Sequence, residues 1–84
     1  MTLTHAELRR VKSRFMVAVS PRHSQGVPID VYWCPKKRDI TTRVQWTHDG
    51  RERKRLPDDA RHIGTYKTGA KVAYFVEDLG ALLP

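Results

Sequence analysis

The chain has 84 residues, 39% of them hydrophobic and 30% charged, with a formal net charge of +7 and one cysteine. A chain this short is expected to form one domain, residues 1–84, with a small core, and a homodimer would bury more of its apolar surface. The lone Cys34 excludes an internal disulfide, and no apolar run approaches the roughly 20 residues of a membrane span, so a membrane partner is not expected and the cytoplasm is the default location.

The N-terminus, MTLTHAELRR, has no apolar leader and reads directly into a helix. Thr4-His5-Ala6-Glu7 has the T-x-x-E form of a capping box, and Leu3 with Leu8 gives the accompanying hydrophobic staple. Leu8, Val11 and Phe15 follow as one apolar stripe, which predicts an amphipathic helix over about residues 5–14. FMVAV, residues 15–19, is continuous and rich in β-branched residues, which suits a buried strand ended by Ser20-Pro21. A polar loop runs on through Gly26. Ile29, Val31 and Trp33 then alternate along a strand closed by Pro35, and Ile40, Thr42, Val44 and Trp46 alternate along the next. Asp49-Gly50 favours a tight hairpin turn, after which RERKRL has little to bury and should project from the core. After the break at Pro57-Asp58-Asp59, residues 62–67 and 71–76 flank Thr68-Gly69 as a second hairpin. There Ile63 and Thr65 would face Tyr74 and Val72. Glu77-Asp78 suits the start of a short helix that packs Leu79, Leu82 and Leu83. The expected fold is α+β: a small antiparallel β-sheet of about five to six strands, with an N-terminal amphipathic helix and a short C-terminal helix.

The positive charge is local. Residues 36–55 hold eight Lys or Arg against Asp39, Asp49 and Glu52, a net of +5, whereas residues 1–35 carry a net of +3 and residues 56–84 a net of −1. A concentrated basic field is what a polyanion requires of its partner, so a small basic protein that binds nucleic acid, DNA ahead of RNA, is the expected function. Arg51, Arg53, Lys54 and Arg55 on the returning arm of the basic hairpin are the candidate phosphate contacts. Lys36, Lys37, Arg38 and Arg43 extend the track, and Trp46 offers a stacking face. Arg9, Arg10, Lys12 and Arg14 form a secondary patch on the first helix. Tyr32 and Trp33 lie on opposite faces of their strand, one destined for the core and the other for stacking or for a neighbouring element. An acidic protein could take the same surface, since carboxylates also accept Arg, and a protein-interaction module of phage or plasmid type is the alternative. The excess of Arg over Lys with scarce Asn points to a bacterial or phage source.

His5, His23, His48, His62 and Cys34 lack the paired spacing of a zinc site, so neither metal nor cofactor is expected. No phosphate-binding loop, nucleophile elbow or dinucleotide fingerprint occurs, and the chain is not expected to be an enzyme. A small basic ribonuclease using His23 and His48 is the one catalytic alternative.

The stretch LPDDARHIGTYKTGAKVAYFVEDLGALL resembles the wing and last helix of small bacterial excisionases and related regulators. Leu56-Pro57, the turn around Gly69 and Asp78-Leu79-Gly80-Ala81-Leu82 occupy the places of that family's recognition-helix end, wing and closing helix. The resemblance, which spans about 28 residues, implies a winged-helix DNA-binding regulator as a second alternative. It also implies a preceding helix-turn-helix, where VPIDVYWCP and ITTRVQW have the pattern of strands.

Overall fold

The computed structural model describes residues 3–44 and 55–82, with side chains as far as residue 80. Its elements run α1 (His5–Ala18), α2 (Pro21–Ser24), β1 (Ile29–Cys34), β2 (Asp39–Val44), β3 (Arg61–Tyr66) and α3 (Val72–Leu82). The three strands form one antiparallel sheet in the order β2-β1-β3. This is the expected α+β class, with three strands among the described residues where five to six were expected.

The capping box is present in both directions: Glu7 N donates to Thr4 Oγ1 and Thr4 N to Glu7 Oε1, each at 3.1 Å. The helix it starts does not stop at residue 14. FMVAV continues it to Ala18, so the strand expected there is corrected to helix. The reason is the stripe: Val11, Phe15 and Ala18 are all buried at helical spacing, while Met16 and Val17 face outward. A helix already nucleated extends at little cost, and that outweighs the β preference of two valines. Ser20 then caps the single turn of α2, with Pro21 at its first position, where a loop had been expected.

β1 and β2 form a hairpin in which Cys34 faces Asp39 across the four residues Pro35–Arg38. Lys37 N donates to Cys34 O at 3.1 Å and Arg38 N to Pro35 O at 3.2 Å, and Arg38 takes the left-handed conformation that closes such a loop. β3 lies against the other side of β1, with a bulge opposite Val31 and Tyr32. The chain after β3 turns at Gly69, whose φ of +90° is unstrained only for glycine. It then becomes helical instead of returning as a strand. Val72, Phe75, Val76 and Leu79 all meet the core at helical spacing, and Tyr74, expected to pair with Ile63, is exposed. Glu77 and Asp78 consequently lie inside α3, not at its start. The wing hairpin implied by the excisionase resemblance is therefore replaced by a strand and a helix, and the described residues before it form the β1–β2 hairpin where a helix-turn-helix was implied.

Ile29, Val31, Trp33, Ile40 and Tyr66 line one face of the sheet, and α1 and α3 cover it with Val11, Phe15, Phe75 and Leu79. Phe15 and Phe75 stack with centroids 4.1 Å apart, and Tyr66 meets Phe15 edge-on at 4.9 Å. Tyr66 folds back over Gly64, where a Cβ would come within 3.1 Å of its hydroxyl oxygen. That hydroxyl donates to Asp78 of α3, and burial together with this bond pushes the Tyr66 phenol above its ordinary range.

Candidate nucleic-acid interface

The spacing of α1 puts Glu7, Arg10 and Arg14 on the side that meets the β1–β2 hairpin. Arg14 donates to Asp39, the first residue of β2, and Arg10 stands 3.4 Å from the same carboxylate. Arg38 grips Glu7 with two bonds, Nε to Oε2 at 2.6 Å and Nη2 to Oε1 at 3.2 Å. The Arg38 guanidinium, aided by the Thr4 amide, holds the Glu7 carboxyl down at about 2. Arg38 is thus committed to the fold rather than displayed. The two arginines at Asp39 are not equivalent to it: one buried carboxylate cannot neutralise two guanidiniums, and Arg10 remains 71% exposed.

Lys36 and Lys37 are exposed at the tip of the hairpin. The Lys36 amide donates to Asp59 Oδ2 at 3.0 Å, which anchors the tip to the turn after Pro57 and leaves the ammonium in solvent. Lys37 Nζ donates to Thr41 Oγ1 at 3.2 Å. Between α1, α2 and β2 an open cleft of about 360 Å³ has Arg14, His23 and Lys37 in its walls, with Ser13, Thr41 and Thr42. Val17, Ala18 and Ile40 supply its apolar surface, and among the described residues no carboxylate lines it. The described part of the first basic run and the hairpin tip therefore meet on one side of the molecule. Arg9 and Lys12 do not belong to that side, because helical spacing turns them around α1 from Arg14.

Arg43 is on the opposite face of the sheet. Its Nη2 donates to the Tyr32 hydroxyl at 2.8 Å, its guanidinium lies 5.4 Å from the ring centroid, and its Nε is buried without an acceptor among the described residues. Arg43 therefore does not extend the phosphate track from the hairpin tip. Tyr32 is no stacking platform either: it is buried, as is Trp33. Next to it Asp30 accepts from Thr65 Oγ1 at 2.7 Å and stands 3.6 Å from His62 Nε2. Cys34 is fully buried and donates to Thr41 Oγ1 at 3.4 Å. Trp46, Arg51, Arg53 and Lys54, with His48 and the Asp49-Gly50 turn, lie outside the described residues; Arg55 is exposed.

Ser13, Thr41 and Thr42 were not foreseen as site residues, and His23 was considered only for the ribonuclease alternative. Their common cleft arises because α1 runs four residues past its expected end and lies along β2. A signal was available in the spacing of Val11, Phe15 and Ala18. Among the described residues no three His, Cys, Asp or Glu side chains converge as metal ligands, and no helix is long and apolar enough to cross a membrane. No protein-family model, curated protein or solved structure matches this chain.

Proposed function

We propose that this is a small nucleic-acid-binding domain, with DNA ahead of RNA, whose phosphate contacts come from Arg10, Arg14, Lys36 and Lys37. The observation that carries the reading is the meeting of two basic runs, far apart in sequence, beside one cleft that no carboxylate lines among the described residues. Residues 51–55 belong to the proposal through their charge alone, with Arg55 exposed at the edge of that run. The mechanism is electrostatic: each phosphate neutralised frees condensed counterions, so affinity falls steeply as salt rises. Arg38 has a structural part in this reading, holding the hairpin against α1 through Glu7.

The test is a salt-dependent titration of oligonucleotide with the wild type and with Lys36→Glu plus Lys37→Glu. Both lysines are exposed and neither forms an ion pair among the described residues. The double variant should bind about tenfold more weakly or worse, with a log–log salt slope shallower by roughly 2, and should melt at an unchanged temperature. Absence of binding by the wild type at low salt would turn the reading towards an acidic protein partner.

A further inference from the structure

We infer that the cleft between α1, α2 and β2 takes one unstacked nucleotide, so that the domain prefers single strands to duplex. This deepens the nucleic-acid reading and rests on it. The walls combine the three chemistries that a nucleotide presents. Arg14 and Lys37 offer cations to a phosphate, the hydroxyls of Ser13 and Thr42 can bond sugar or base edges, and Val17 with Ile40 gives an apolar surface for a base. At about 360 Å³ the space lies near the lower end of the roughly 300–1,000 Å³ of small-ligand sites. A duplex offers only its ridges of phosphate to such an opening, whereas a single strand can place a whole unit inside it. β2 is also an edge strand among the described residues, so its backbone borders the cleft with polar groups that a base edge can meet. Arg43 of β2 is turned away onto Tyr32 and does not compete for this role.

The experiment follows backbone amide signals by NMR during titration with a single-stranded oligonucleotide of about twelve residues, a length such small domains can span. Parallel titrations use the matched duplex and inorganic phosphate. The single strand should move the signals of Arg14, His23 and residues 37–42, and should bind about tenfold more tightly than the duplex. Val17→Glu places a carboxylate in the cleft from a position that is 61% exposed, where it should not disturb folding. This change should abolish most of the preference while leaving the melting temperature in place. Equal affinity for single strand and duplex, or shifts confined to residues outside the cleft, would overturn the inference and leave the nucleic-acid reading standing. Phosphate alone reproducing the full shift pattern would reduce the cleft to a phosphate site and likewise end the inference. Failure of both oligonucleotides to bind would remove the functional reading itself.

Discussion

The two faces of the sheet are closed by different chemistry. On one, aromatic and aliphatic side chains from α1 and α3 stack on Ile29, Val31 and Trp33; on the other, Asp30 accepts from Thr65, Thr41 accepts from Cys34, and Arg43 lies on Tyr32 through a hydrogen bond and a cation–π contact. Every residue of β1 is buried as a consequence, although half of that strand faces away from the helices. Apolar burial is additive and non-directional, whereas a polar face depends on each partner being in place. The first should be costly to damage anywhere, and the second only where a buried group loses its mate.

Substitutions can separate these regimes. Phe15→Ala should cost the most, about 3–4 kcal/mol in a denaturant melt, because it empties the space between Phe75 and Tyr66. A loss under about 1 kcal/mol would mean that the two helices are not joined through that ring. Gly64→Ala approaches the same face from the sheet side: its methyl group would meet the Tyr66 ring, and a loss of about 1–3 kcal/mol is expected. On the polar face, Thr65→Val removes the hydroxyl that serves Asp30 but keeps the shape, and should cost about 1 kcal/mol in the same melt. A loss as large as that of Phe15→Ala would refute the contrast.

The smallest effect distinguishes the regions by pH. Glu7 has an ordinary value of 4.5 and is held at about 2 by Arg38, so its contribution is fully present above the ordinary value and disappears as pH falls towards the folded one. The melting temperature should therefore drop between about pH 4.5 and 2, and Glu7→Gln should flatten that part of the profile while retaining the capping box. An identical profile in the two proteins would show that the Arg38 contact contributes nothing to folding.

The sequence was most legible where one local signal acted without competition. Thr4 and Glu7 announced the start of α1, and the alternation of Ile29, Val31 and Trp33 announced the central strand together with its core face. It misled where an apolar run satisfied both periods. Phe15 to Val19 and Val72 to Val76 read as strands by composition, yet Phe15 to Ala18 and Val72 to Val76 are helical because spaced members, Phe15 with Ala18 and Phe75 with Leu79, meet in one core. The candidate site was legible as charge but not as geometry. Nothing local says that Arg38 will be spent on Glu7, that Arg43 will lie on Tyr32, or that Arg14 and Lys37 will share a cleft. Those outcomes depend on how α1 lies across the hairpin, which no window of neighbouring residues encodes.

The stacked pair Phe15 and Phe75 has a bearing on synthesis. A growing chain displays the first ring early, in a helix that can coil on its own, yet the ring's flat partner emerges only after sixty further residues have been added. Such distant pairing is slow to find and leaves a greasy surface open to aggregation in the meantime. Nascent chains halted before Val72 should therefore be more prone to chaperone capture than those that have passed Leu79.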